Sequence, residues 1–199
     1  MSTQPATKAS VGASVCHLVL NVRDLEASHR FYTEVLGFQQ CGEMTHTMTM
    51  RFYRGDESRH HDLALCQIVD PASAPPPERW SMDPRQIGVN HVAIGYPDRE
   101  SWLDQLAHLK AHDVEFIVRG NHGMSHSAYI QDPDGYGIEV LYNLPEEVWG
   151  PDVDAALNYF EYLPPERELE DRTDYQRFGP DAAPPSTDGG MIVTRVPKS

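Results

Sequence analysis

The sequence has few cysteines, no long apolar runs and no excess of basic residues. Its three cysteines (Cys16, Cys41 and Cys66) are an odd number without C-x-x-C spacing, which argues against a disulfide framework or a structural zinc site. Such cysteine usage is typical of a reducing compartment, so we expect a cytoplasmic protein. No apolar run approaches the roughly 20 residues that span a bilayer, and the polar first residues do not resemble a secretory signal.

Positive charge is scarce as well. There are 16 Lys and Arg against 30 Asp and Glu, which gives a formal net charge of -14. Nucleic acids and anionic membranes are bound by basic patches, so we expect neither as a partner. The 199 residues, 40% of them hydrophobic, suffice for one compact domain or for two small modules that share a core.

A repeated order of strand, helix and three strands divides the chain and predicts an α+β fold. Each module would carry a curved mixed sheet, and two such sheets side by side can enclose a site. An apolar stripe in the extension indicates a helix from Glu147 to Tyr162. The predicted segments are a disordered N-terminus (1–13), a first βαβββ module (14–70), a proline-rich linker (71–87), a second βαβββ module (88–145) and an acidic, proline-rich C-terminal extension (146–199).

Two histidines occupy equivalent positions of this repeat. His17 and His91 lie 74 residues apart, and each is followed directly by three apolar residues. After three further residues an aspartate follows in both cases, Asp24 and Asp98. If a pseudo-twofold axis relates the modules, both imidazoles face that axis. A single histidine in an apolar strand is more often a core residue than a ligand. The repetition is what favours a shared metal site.

Glu139 is the third candidate ligand. It lies in the run Gly-Ile-Glu-Val-Leu-Tyr, and a carboxylate buried in such a strand is costly unless it is paired or binds a metal. The alternative is a glutamate on the solvent face of an edge strand. Two imidazoles and one carboxylate suit non-heme Fe(II), and the same ligands can hold Mn(II). The equivalent position of the first module, near Leu63 or Leu65, is apolar, so no fourth protein ligand is expected.

Several motifs together resemble the vicinal oxygen chelate superfamily and, within it, the type I extradiol ring-cleaving dioxygenases in a short form with one pair of modules. The resemblance covers about residues 14–143. A DPDG turn followed by an apolar–Glu pair is general to the superfamily, whereas the His-Asp-Leu-Ala-Leu run and Tyr129, ten residues before Glu139, are more specific to the dioxygenases. The motifs are His17-Leu-Val-Leu, His60-His61-Asp62-Leu63-Ala64-Leu65, Asn90-His91-Val92-Ala93 and Tyr129-Ile-Gln-Asp132-Pro133-Asp134-Gly135-x-x-Ile138-Glu139.

The resemblance implies a role for each matching residue. His17, His91 and Glu139 match the metal ligands of the family. His61 matches its active-site acid–base histidine, and Tyr129 matches a tyrosine that hydrogen-bonds the metal-bound substrate oxygen.

A second histidine near the substrate is implied less directly. His122 matches it only across a short gap, and His126 competes for that role, as His60 competes with His61. Walls of the substrate pocket are expected among residues 44–50, at Trp80 and in the extension near Trp149 and Tyr162, without a ranking.

The implied function is a non-heme Fe(II) dioxygenase that cleaves a catecholic ring with O2 to a muconic semialdehyde-type product, with Mn(II) as an alternative metal. The expected partners are a catechol-type substrate and O2, and the family commonly forms dimers or larger homo-oligomers. A Mn(II)-dependent transferase or isomerase of the same fold stays an alternative, as does a non-enzymatic small-molecule-binding protein.

Overall fold

Two mixed sheets with few helices make up the described part of the chain. The computed structural model describes residues 12–83, 87–163, 178–179 and 191–192. The predicted α+β fold class is confirmed. Residues 1–11 of the segment expected to be disordered (1–13) lie outside the described residues, as does most of the extension beyond residue 163. Among the described helices, none is long and apolar enough to cross a membrane.

The first sheet contains four strands in the spatial order β1-β4-β3-β2. β1 runs parallel to β4, and the other neighbours are antiparallel. Asp24 caps α1 by accepting hydrogen bonds from the backbone N–H groups of Glu26 and Ala27, as its position before the helix predicts. Gly37, with φ of +80°, follows the helical segment. The elements are β1 (Leu18–Val22), α1 (Leu25–Arg30), a π-helical continuation (Phe31–Val35), β2 (Gln39–Met44), β3 (Met50–Arg54) and β4 (Leu63–Gln67).

The second sheet repeats this order and is then extended at one edge. Its strands lie in the order β10-β9-β6-β7-β8-β5, with β5 parallel to β8. Asp98 caps the long helix by accepting a hydrogen bond from the backbone of Ser101. The elements of the module are β5 (His91–Tyr96), α2 (Arg99–Ala111), β6 (Val118–Asn121), β7 (Ser125–Gln131) and β8 (Gly137–Asn143).

The extension is not the single helix predicted from Glu147 to Tyr162. Pro151 has no backbone N–H, so it cannot donate the hydrogen bond that would continue an α-helix. It lies in a tight helical turn that separates two short helices. The chain then pairs antiparallel with the free edge of β6, which satisfies backbone groups that a longer helix would leave on that edge unpaired. The elements are α3 (Glu146–Trp149), the turn (Gly150–Asp152), α4 (Val153–Leu157), β9 (Glu161–Leu163) and β10 (Met191–Ile192).

The main apolar core of the described residues lies between the sheets and the helices. We call the side of each sheet that faces this core the helix face and the opposite side the open face. Successive side chains of a strand point to opposite faces, so each strand divides its residues between the core and the open face. Core residues include Leu20, Val22, Leu63 and Leu65 of the first sheet, Trp102, Leu106 and Leu109 of α2, and Ile138, Val140 and Tyr142 of the second sheet.

The DPDG turn between β7 and β8 ties the second module to the first. Asp132 accepts a hydrogen bond from the Tyr32 hydroxyl (3.1 Å), and burial raises the pKa of Asp132 to about 6. Asp134 accepts hydrogen bonds from the backbone N–H of Arg23 (3.1 Å) and from the Ser28 hydroxyl (3.2 Å). The turn predicted from sequence therefore also holds the two modules in contact.

Candidate functional site

Glu139 is the centre of a polar group on the open face of the second sheet. Ile138 and Val140 are fully buried in the core, so alternation directs Glu139 to the other side of β8. The residue is only 6% exposed. It lies directly opposite Tyr129 in the antiparallel pairing of β7 with β8, which brings the two side chains together.

Three side chains surround the Glu139 carboxylate. His91 Nε2 lies 3.1 Å from Oε2, and the Tyr129 hydroxyl donates to Oε1 at 2.8 Å. His122 Nε2 lies 3.7 Å from Oε1 and 2.8 Å from the Tyr129 hydroxyl. Because the single Tyr129 hydroxyl proton points to Glu139, this hydroxyl accepts its second hydrogen bond from Nε2–H of His122.

The environment sets the charge of each member of this group. Burial alone would raise the pKa of the Glu139 carboxyl, but hydrogen bonds from His91, Ser127 and Tyr129 outweigh burial and lower it. Burial and the neighbouring carboxylate raise the pKa of Tyr129. Burial lowers the pKa of His122. At neutral pH the group therefore holds an ionised carboxylate, a protonated phenol and a neutral imidazole.

Two of these side chains, His91 and Glu139, have atoms that can bind a divalent metal. In the metal-free protein His91 Nε2 donates to Glu139; in the tautomer that donates its Nδ1 proton to Asn90 Oδ1, 2.8 Å away, Nε2 instead carries the lone pair that a metal needs. Nε2 and the Glu139 oxygen, 3.1 Å apart, are then two acceptors that a shared cation stabilises. Ligand atoms at this separation can both reach one ion at about 2.1 Å. His91 and Glu139 therefore suit neighbouring positions in one coordination sphere.

His17 lies with other histidines on the open face of the first sheet. It immediately precedes β1, and its ring centroid is 4.4 Å from that of His61. His61 also contacts Phe52 (5.2 Å) and His60, and burial lowers its pKa. Within the described ranges, no three or more His, Cys, Asp or Glu side chains form a group that could hold a metal ion. The structure thus brings together His91 and Glu139, and separately His17 and His61.

The position equivalent to Glu139 in the first sheet is Ala64. Glu139 is paired with Ala93, two residues after the second repeat histidine. The residue two positions after the first repeat histidine is paired with Ala64. Sequence analysis placed this position near Leu63 or Leu65, but both of these side chains point to the helix face. The position is apolar as expected, but the side chain is a methyl group.

The two competing histidines of the second module lie on opposite faces. His126 is buried on the helix face, where its Nδ1 lies 3.2 Å from the Tyr142 hydroxyl and its ring packs near Trp102. Only His122 shares the open face with Tyr129.

The ring of Trp80 forms one wall of this site. The sequence motifs do not rank Trp80 above the other expected pocket residues. Its ring stacks on Tyr129 (5.4 Å, 8° between planes) and lies edge-on to His91 at 6.2 Å. The indole Nε1 donates to the backbone carbonyl of Asn90 at 2.6 Å. A Cβ at Gly137 would overlap the indole. A glycine inside a strand marks close approach by another group, and this is the sequence signal that points to Trp80.

The chain resembles proteins of one family over most of its described length. Residues 14–140 match the family described as Glyoxalase/Bleomycin resistance protein/Dioxygenase superfamily. A catechol-2,3-dioxygenase of Bacillus subtilis is 34% identical over 130 residues, which are 65% of this chain and 41% of the relative. This chain therefore spans less than half the length of that protein.

Two further comparisons agree with this match. Biphenyl-2,3-diol 1,2-dioxygenase 3 of Rhodococcus globerulus is 31% identical over 141 residues, 69% of each chain. The trypanothione-dependent glyoxalase I of Leishmania major has 27% identity and a TM-score of 0.50, covering 66% of this chain and 87% of that one.

Proposed function

Because the chain belongs to the glyoxalase/bleomycin resistance protein/dioxygenase superfamily, we propose that it is a non-heme Fe(II) extradiol dioxygenase. It would cleave a catecholic ring with O2 to a muconic semialdehyde-type product. Members of the superfamily include dioxygenases and glyoxalases, and they bind divalent metals. Small-molecule substrates and oligomers are typical of the family.

The observation that carries the proposal is the contact of Tyr129 and His122 with a carboxylate that fits a metal. Glu139 and His91 supply two ligand atoms, while the Tyr129 hydroxyl and His122 Nε2 lie within 2.8 Å of each other beside them. A hydroxyl and an imidazole at a metal site can bind and protonate a substrate oxygen. The two dioxygenases with more than 30% identity support this reading.

The equivalent position in the first sheet supports an open coordination sphere. Ala64 has no side-chain atom that can bind a metal at the position where the second sheet has Glu139. Of the two positions equivalent to His91 and Glu139, the first module would therefore contribute only His17 as a ligand. A ligand set of His17, His91 and Glu139 would leave sites for two diol oxygens and O2.

In the proposed reaction, each polar side chain acts at a stated atom. When bound, Fe(II) would lower the pKa of coordinated diol hydroxyls and hold substrate beside O2. Tyr129 would turn its hydroxyl from Glu139 to the substrate oxyanion, which it stabilises by donating a hydrogen bond. His122 holds a proton at Nε2 and can deliver it to the substrate.

The proposal also requires His17 and His61 at the same centre. They lie on the open face of the first sheet, so this face and the open face of the second sheet must meet, within one chain or between two copies. In that arrangement His17 is the third ligand and His61, whose lowered pKa keeps it neutral, is the acid–base residue.

Anaerobic reconstitution with Fe(II), followed by a catechol and O2, tests the proposal. We expect one Fe(II) per chain and a yellow ring-fission product. Glu139→Gln should abolish product formation. Tyr142→Phe, which changes a buried tyrosine on the helix face of the same strand, should retain it. Absence of product with monocyclic and bicyclic catechols would refute the dioxygenase.

A metal-dependent isomerase is the second candidate, and the similarity to the Leishmania glyoxalase I favours it. Mn(II) in place of iron would suit this alternative or a transferase. Neither needs the acid–base histidine or the tyrosine. Metal-dependent activity that survives both His61→Ala and Tyr129→Phe would therefore favour this candidate.

A further inference from the structure

The C-terminal extension reaches the open face of the second sheet. β9 pairs antiparallel with β6, and this pairing places Tyr162 opposite Gly120. The match to the family ends at residue 140, so the extension lies beyond the part of the chain that the family describes. Any contact that it makes with the polar group around Glu139 therefore involves residues outside the matched part of the chain.

Phe160, just before β9, makes such a contact. Its ring centroid lies 4.9 Å from that of His122, with the planes tilted by 49°. The ring also covers Gly120, where a Cβ would overlap it. Gly120 is the neighbour of Ser127 in the β6–β7 pairing, so it shares the open face with Tyr129. The missing side chain at Gly120 is what allows the Phe160 ring to lie beside His122.

The residues on either side of Phe160 fix its direction. Tyr159 is 7% exposed and Glu161 is 1% exposed, and the Tyr159 hydroxyl donates to Glu161 Oε2 at 3.3 Å. Tyr159 also packs on Phe178, with the ring centroids 5.4 Å apart. Because successive side chains in extended chain point to opposite sides, these two anchors direct Phe160 away from the buried side.

The polar atoms of the site thus lie between two aromatic side chains. Trp80, from the linker, stacks on Tyr129 at the side nearest His91. Phe160, from the extension, packs on His122 at the other side. Trp80 is buried against its neighbours, whereas Phe160 is only half-buried and keeps part of its ring free for a ligand.

We propose that Phe160 is a specificity-determining residue, whose ring forms the apolar wall beside His122 and favours substrates that carry a second aromatic ring. The diol part of the substrate rests on the proposed function. The preference for a second ring follows from the position of Phe160 alone. A ring bound on the reacting side of His122 would place its fused or attached ring on Phe160, where stacked aromatic pairs gain more than their buried area.

Matched substrates and matched variants test this preference. We compare kcat/KM for naphthalene-2,3-diol and for catechol in the Fe(II)-loaded protein and in its variants. Phe160→Ala should lower the value for the bicyclic diol about tenfold more than the value for catechol, mainly through KM. Phe160→Leu keeps apolar volume and should lie between. Leu157→Ala, an exposed change in the same extension, should alter neither value.

Gly120→Ala is an independent perturbation of the same wall. The three atoms nearest to the added methyl group all belong to the Phe160 ring, so the substitution displaces that ring and should reproduce the loss for the bicyclic diol. Combined with Phe160→Ala it should add little, because both changes remove the same contact. Equal losses for both diols in Phe160→Ala and Gly120→Ala would overturn the proposal.

A binding measurement separates this proposal from the dioxygenase. The metal-free protein is titrated with 2-naphthol and with phenol, which have one hydroxyl each and cannot chelate. We expect 2-naphthol to bind more tightly, and Phe160→Ala to reduce that preference by about tenfold. If no diol is cleaved but this result holds, the dioxygenase fails and the Phe160 wall stands. A preference that Phe160→Ala leaves unchanged overturns the wall, even if catechol is cleaved.

Discussion

Replacement of Tyr129 by phenylalanine removes one hydroxyl from the centre of the site and leaves the ring in place. That hydroxyl is buried and has two partners at 2.8 Å, Glu139 Oε1 and His122 Nε2. Hydrogen bonds to a charged acceptor contribute about 1.5–3 kcal/mol. We therefore expect Tyr129→Phe to lower the free energy of unfolding of the metal-free protein by about 2 kcal/mol at neutral pH.

The loss should depend on pH in a defined direction. Hydrogen bonds lower the folded-state pKa of Glu139 below its ordinary value of 4.5, so their stabilisation is present above pH 4.5 and is lost as the pH falls through the folded-state pKa. Without the Tyr129 hydroxyl, that pKa moves back towards 4.5. The difference between wild type and variant should therefore be largest near neutral pH and shrink in acid.

Urea unfolding of chelator-treated protein from pH 7 down to about pH 3 measures this difference, because the loss begins only below pH 4.5. Tyr142→Phe is the matched control, because Tyr142 is a buried tyrosine whose hydroxyl contacts a histidine on the other face of the same sheet. It should cost about 1 kcal/mol and show no dependence linked to Glu139. A Tyr129→Phe loss below 0.5 kcal/mol, or one that grows in acid, would refute the hydrogen bond to an ionised Glu139.

Three further changes probe the inter-module contact, the Trp80 wall and the third ligand. Burial raises the folded-state pKa of Asp132 to about 6, so the stability that its protonated form contributes is lost as the pH rises through 6. The Asp132→Asn variant has no proton to lose there. Urea unfolding should therefore show the stability of the variant, relative to wild type, rising by about 2 kcal/mol from pH 4 to pH 7. A constant difference would contradict that burial. Gly137→Ala forces Trp80 from its place and should cost about 1–3 kcal/mol with a changed near-ultraviolet circular dichroism spectrum; an unchanged spectrum would contradict the overlap. If two copies build one site, mixing inactive His17→Ala and Glu139→Gln chains should restore up to about a quarter of the metal-dependent activity, whereas no recovery in confirmed mixed oligomers would place both ligands in one chain.

Local signals in the sequence predict much of the fold. Asp24 before an apolar periodic segment and Gly37 after it define a helix because capping depends on a few adjacent residues. The same holds for the buried acid: Glu139 lies among apolar residues of a short strand, and its burial follows from that surrounding. Features set by neighbours within a few positions were predictable for this reason.

Contacts between distant segments were not predictable in the same way. Ala64, and not Leu63 or Leu65, is the residue of β4 equivalent to Glu139, because it points to the open face. Which residues of a strand point to which face depends on its pairing register, and prediction from sequence can miss that register by one residue. Phe160 reaches His122 only because β9 adds to the edge of β6, and no local pattern in the extension specifies that partner.

Product analysis with isotopically labelled oxygen tests the dioxygenase most directly. The Fe(II)-loaded protein is given a catechol under 18O2, and the ring-fission product is analysed by mass spectrometry. The account predicts a ring-opened product that contains both atoms of one O2, apart from exchange with water, and no such product from Glu139→Gln. Unlabelled product, or no ring cleavage by protein that holds one Fe(II) per chain, would contradict it.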